Sequence, residues 1–344
     1  MNRKDIEYMW SRVRHLKNVV GYSKRLRNRI RRGKEVLGTQ VFRVYVSKKE
    51  PLESLDVKDV VPSVLYVGDR PVETDVVEIG VVTSPPKGTV KASTEKTRKH
   101  RPVPLGVSVG NWNITAGSLG MLYDYHGKTL AGSNAHVLVE DVSLYPSEVK
   151  EKRILQPAPY HGGKNPRNIC GEYYWHQTIQ PNSPSQCLLS RGVVGVLNFI
   201  SRVLGRKTRF TTVVDSANKI DFAVYVPKVE HTLDIADGSF DKDLPFIGHL
   251  FAGSDKVGVI CKVKYIMDLG YIPKVYAGNA VIGEEVCGCS FWCSYRTRVV
   301  DDSASLVVSY GRFSAKFDDV ILVYNDGTIK GGWSGSGWRV IPKS

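Results

Sequence analysis

Gly331-Gly332-Trp333-Ser334-Gly335-Ser336-Gly337 places a serine in a glycine-rich turn directly after a β-like run. Glycines let a chain turn sharply and leave backbone N–H groups free to face a developing oxyanion. Gly-Ser-Gly turns are also common as plain loops, so the stretch takes its meaning from two companions. In Ala131-Gly132-Ser133-Asn134-Ala135-His136-Val137-Leu138 a histidine follows a strand-like run, and in Lys219-Ile220-Asp221-Phe222-Ala223-Val224 an aspartate is hemmed in by apolar residues. A carboxylate in such surroundings needs a donor, and an imidazole N–H is a suitable one. The order along the chain is His136, Asp221, Ser334, with spacings of 85 and 113 residues.

Outward from these segments the pattern is mainly β. From residue 102 onward short runs rich in Val, Ile and Tyr recur at 105–109, 118–125, 128–131, 220–226, 257–266, 305–310 and 320–324. Separated by Gly and Pro turns, they suit a barrel or a sandwich. An insertion between His136 and Asp221 carries Val193, Val194, Val196, Leu197, Phe199, Ile200, Val203 and Leu204, a spacing that predicts a surface helix. Residues 84–101 are polar, basic and turn-rich and read as a linker. Upstream, residues 18–83 read as a small α/β domain. It has extended runs at 19–29 and 39–46 joined as a hairpin through Arg31-Arg32-Gly33-Lys34, a short helix within 51–60, and strands at 63–67 and 75–82. Ile6, Met9, Trp10, Val13 and Leu16 recur at helical spacing, so residues 1–17 hold a basic amphipathic helix, expected over 3–17.

The chain of 344 residues, with 42% hydrophobic and 24% charged content, is long enough for more than one core. Its net charge of +14 favours polyanionic or acidic partners without naming one. Residues 1–34 contain twelve Lys or Arg against Asp5 and Glu7, which raises nucleic acid or an acidic surface as a partner, although a solvated hairpin face is the preferred reading. No apolar run reaches the roughly 18 residues of a membrane span, and the opening Asn2-Arg3-Lys4-Asp5 is unlike a signal peptide, which favours a cytoplasmic or virion-associated protein. Of six cysteines, Cys287, Cys289 and Cys293 cluster, and buried thiols or a local disulfide are preferred to zinc, since structural zinc wants four ligands.

The order His, Asp, Ser is that of chymotrypsin-like proteases. Thr115-Ala116-Gly117-Ser118-Leu119-Gly120, then Ser133 to Leu138, Ile154-Leu155-Gln156-Pro157 with Gly162-Gly163, and Ile220-Asp221-Phe222-Ala223 resemble a branch of the trypsin-like serine proteases with SNNHVL-, LQPG- and VDAAIA-type motifs. Val44-Tyr45-Val46-Ser47-Lys48-Lys49, Val61-Pro62 and Thr74 to Gly80 resemble the domain that precedes the protease in that branch. The resemblance implies a chymotrypsin-like double β-barrel, with the first barrel and its insertion at 102–240 and the second at 241–344. It also implies a polypeptide substrate and no cofactor. Carried over, Ser334 is the nucleophile, His136 the general base, Asp221 its orienting partner, and the N–H groups of Gly332 and Ser334 the oxyanion hole.

Two departures stand out. Trp333 replaces the family's aspartate before the nucleophile, and an indole cannot pair with a newly cut N-terminus. Ten residues follow Ser334, where the family has further strands, so the second barrel is expected to be incomplete. Thr328, six residues before Ser334, stands where trypsin-like proteases place the base of the specificity pocket, and its neutrality argues against an Arg/Lys preference. The rival expectation is a non-catalytic structural or nucleic-acid-binding protein, viral in origin, that keeps the protease fold. A mixed expectation is a maturation protease that cuts its own chain.

Overall fold

The computed structural model describes residues 1–31, 34–88, 95–114, 116–182 and 217–342. Helix α1 (Arg3–Val13) starts at Asn2, whose side chain accepts from Asp5 N while the Asp5 carboxylate accepts from Asn2 N. This reciprocal cap satisfies two otherwise free donors. The helix ends earlier than residue 17, yet Leu16 stays buried with Ile6, Met9 and Val13 against Tyr22, Phe42 and Val44. The strands beneath are β1 (Val19–Ser23), β2 (Arg27–Arg31), β3 (Lys34–Val46), β4 (Val64–Val67) and β5 (Arg70–Glu78). The expected 19–29 run is thus two strands, split where Lys24 N turns to Ser303 O and Arg27 reaches Asp301 and Asp302. The helix expected within 51–60 is two 3₁₀ turns, Leu52–Ser54 and Val57–Asp59.

Next come β6 (Val103–Leu105), β7 (Ser108–Asn111), β8 (Gly117–Ser118), β9 (Met121–Tyr125), β10 (Lys128–Ser133), the short helix α2 (Ala135–Leu138), β11 (Arg153–Leu155) and β12 (Ile169–His176). The helix expected around 193–204 lies outside the described residues, as does Cys187. The chain continues with β13 (Ala217–Asn218), β14 (Ala223–Pro227), β15 (His231–Ile235), β16 (Phe246–Gly253), β17 (Val257–Lys262), helix α3 (Val263–Met267), β18 (Ile272–Pro273), β19 (Glu285–Cys289), β20 (Ser294–Ser309), β21 (Ser314–Tyr324) and β22 (Gly337–Val340).

The protein is mainly β, built on two large sheets. One is a curled sheet in the order β18-β9-β10-β14-β12-β11-β7-β8. In the other, β16, β17, β21, β20, β19 and β22 pair in turn, and β22 pairs back to β16, so six strands close a ring. This corrects the expectation of an incomplete second barrel. Five of the ring's strands precede Ser334, and the single strand after it, β22, is enough because it fits between β16 and β19. A closed ring leaves no unpaired edge at that point.

The N-terminal strands extend the ring's sheet, since β1 pairs with both β20 and β3. That approach is close: a Cβ on Gly21 would collide with the backbone of Ser305. The stretch read as a linker is tied down at both ends, with Thr83 and Ser84 buried and the ammonium of buried Lys96 paired with Asp237. One core runs continuously from the curled sheet (Tyr123, Leu130, Phe222) to the ring (Phe246, Phe251, Phe317). A second lies around Trp333 and Trp338. The two sheets therefore meet over packed side chains, and the residues singled out by sequence lie at that junction.

Candidate active site

β10 is paired on both sides, with β9 and β14, and ends at Ser133. Asn134 is extended (φ −79°, ψ 156°) and turns the chain into α2, which carries His136. Asp221 lies just before β14, beside this turn. Its buried carboxylate gathers four donors. Oδ1 accepts from Ala135 N at 2.6 Å and His136 N at 3.4 Å, while Oδ2 accepts from His136 Nδ1 at 2.7 Å and Tyr310 Oη at 2.8 Å. A fully buried carboxylate held by several donors is a fixed dipole anchor and does not wander between rotamers. With Nδ1–H donating to Asp221, neutral His136 keeps its lone pair on Nε2, the form a general base needs. Ser84 Oγ, which donates to Phe251 O at 2.7 Å, stands 3.2 Å from the same Nδ1.

Ser334 follows β21 and precedes β22. Its turn is held from the curled sheet by Ser118, whose N–H donates to Ser334 O at 2.8 Å and whose Oγ donates to Gly332 O at 2.9 Å. Ser133 Oγ donates in turn to Ser118 O. From the ring side, Leu250 O accepts from Gly335 N at 2.9 Å. Trp333 is fully buried, its ring 5.7 Å from that of Trp338, so it acts as a core wedge beneath the turn.

The structure thus pairs His136 with Asp221 and holds the Ser334 turn against the strand end that leads into His136. It does not join Ser334 to His136 by a hydrogen bond: Ser334 Oγ and His136 Nε2 are both shielded from solvent, and neither has a partner among the described residues. The N–H groups of Gly332 and Ser334, the expected oxyanion donors, likewise make no hydrogen bond among the described residues. Gly332 has φ +96°, and a Cβ there would collide with the Phe291 ring. Only glycine suits that combination. A cavity of about 500 Å³ opens beside His136, lined by Ser84, Pro85, Val137, Tyr310, Arg312 and Phe313 among others.

Four residues that the sequence reading did not assign to the site support it: Asn134, Tyr310, Ser84 and His249. The imidazole of His249 is fully buried, with Nδ1 2.9 Å from Gly335 O and Nε2 2.6 Å from Tyr123 Oη. Burial pushes its pKa down to about 4. Nδ1–H donates to Gly335 O in the Ser334 turn, and Tyr123 Oη donates to Nε2. A histidine 85 residues from Ser334 gives no local signal of this role.

The other sequence-level candidates resolve differently. Cys287, Cys289 and Cys293 are free thiols, so the local disulfide is not formed. Cys287 and Cys289 sit two apart on β19 and are buried, and burial raises both their pKa values. Among the described residues no group of His, Cys, Asp and Glu is arranged to hold a metal, and no helix is long and apolar enough to cross a membrane. Thr328 is half-buried, its N–H donating to Asp326 Oδ1. In the basic N-terminal stretch, Arg27 is buried between Asp301 and Asp302, Lys24 pairs with Asp318 and Arg29 with Glu73. Those three cations are used inside the molecule, which leaves fewer for a polyanionic partner. No protein-family model matches the sequence, and no curated protein matches it.

Proposed function

We propose that the chain is a serine endopeptidase of chymotrypsin-like fold. The observation that carries the reading is the pairing of His136 Nδ1 with buried Asp221 at 2.7 Å, beside a glycine-rich turn in which Ser334 Oγ has no partner among the described residues. In this reaction Ser334 Oγ attacks the scissile carbonyl as His136 Nε2 takes its proton. Asp221 holds the imidazole and stabilises the imidazolium, and the Gly332 and Ser334 N–H groups receive the oxyanion, each worth ~3 kcal/mol of transition-state stabilisation. His136 then protonates the leaving amine, and water releases the acyl group by the same steps in reverse.

A second reading is a binding protein that keeps the fold without the chemistry. The unmade Nε2 to Oγ hydrogen bond and the 1% exposure of Ser334 favour it. Fluorophosphonate labelling decides between them. A serine peptidase takes the label at Ser334 and loses it in Ser334→Ala, whereas a binding protein stays unlabelled.

A further inference from the structure

Residues 82–84 are bridged between the ends of β16 and β20 without belonging to either strand, and the chain then bends at Ser84–Pro85 and again at Lys87–Gly88. Thr83 pairs with Gly253 at the end of β16, giving its N–H to Gly253 O and taking the Gly253 N–H, each at 3.0 Å. On the other side Ser84 N donates to Ser309 O at 2.8 Å, and Ser309 N donates to Val82 O at 3.0 Å. This is strand addition onto two strand ends, the way an extended peptide is bound by a sheet edge.

Side-chain contacts continue the same path. Ser84 Oγ bonds Phe251 O and faces His136 Nδ1, and Pro85 lines the cavity beside His136. Pro86 packs over Gly253, and Gly88 O accepts from Gly331 N at 3.2 Å, three residues before Ser334. The segment therefore touches the strand end, the Asp221-facing side of the imidazole and the Ser334 turn in sequence. Pro85 and Pro86 bring no N–H, so beyond Ser84 the segment cannot continue the ladder that a productively bound peptide would make.

We infer that the groove between Gly253, Ser309, His136 and Gly331 is a binding site for extended polypeptide, and that residues 82–88 are its internal occupant. A second polypeptide enters only when this segment leaves. The identification of the groove with a reaction cleft rests on the peptidase reading; the groove and its occupant rest on the contacts above.

The test uses the full chain and a fluorescent peptide copying residues 81–88. Thr83→Pro removes the N–H given to Gly253 and loosens the segment, and Ser84→Ala removes the contacts with Phe251 and His136. Thr83→Pro should bind the peptide about tenfold or more tighter than the unaltered chain, the factor for losing one or two net hydrogen bonds from a tethered competitor, with Ser84→Ala intermediate. Equal affinity in all three, or binding by none, overturns the inference. If Thr83→Pro loses its cooperative thermal transition, Ser84→Ala supplies the comparison. Labelling of Ser334 by fluorophosphonate separates the two ideas. A faster rate in the loosened variants supports both. A peptide-affinity shift with no labelling in any chain keeps the groove and removes the peptidase. Labelling at one common rate with no affinity shift keeps the peptidase and removes the internal occupant.

Discussion

The side-chain oxygen of Asn134 accepts a hydrogen bond from the Gly335 N–H at 2.5 Å, two residues before His136 and one residue after Ser334. The same amide gives its Nδ2 hydrogen to Asp221 O at 2.7 Å. One buried side chain thus ties together the segments carrying all three candidate catalytic residues. Asn134→Ala should lower thermal stability by about 1–3 kcal/mol, the cost of leaving buried partners unsatisfied, and slow labelling at Ser334. Unchanged labelling, with stability alone affected, would make Asn134 a structural residue only.

The second expectation concerns the triad as a unit. If peptidase activity is measured, Ser334→Ala and His136→Ala should each remove nearly all of it, and the double variant should be little worse than either. Asp221→Asn should also be severe, since an amide at that place favours the wrong imidazole tautomer. Additive losses in the double variant would count against a shared mechanism.

Gly332→Ala is expected to damage both folding and chemistry. Alanine is strained at φ +96°, and its methyl group would push on Phe291. The combined cost should be about 2–4 kcal/mol by thermal or urea unfolding, summing a backbone and an overpacking contribution. A variant as stable as the unaltered chain would show that the turn relaxes freely.

A pH dependence follows from His249. Its imidazole titrates near 6.5 when exposed and is held down to about 4 by burial, so between these values the unfolded chain binds the extra proton and the folded one does not. Stability is therefore full above pH 6.5 and falls as pH drops toward 4, by about 3 kcal/mol from this group. His231, also held down to about 4 by burial, contributes with the same sign. Melting temperature against pH should decline through this window, with a shallower slope in His249→Gln.

How far the sequence reached can be judged at particular residues. Local pattern was sufficient for α1, because Ile6, Met9 and Val13 repeat on one helical face, and for β10, whereas the expected run 257–266 is β17 followed at once by helix α3, and the run 320–324 is only the end of β21. It also singled out His136 and Asp221, since an aspartate among Ile220, Phe222 and Ala223 must find a donor when the chain folds. What it could not contain was the partner of each edge. The closing of the ring depends on β22 pairing with both β16 and β19, contacts between residues nearly a hundred positions apart in one case and about fifty in the other. The same holds for Asn134 with Gly335 and for Thr83 with Gly253. Residue type and spacing are properties of a few neighbours along the chain and fix helices, strands and isolated buried charges. Which strand ends meet, and which segment lies in the groove between them, is decided only when distant backbone donors and acceptors must all be satisfied at once in the packed structure.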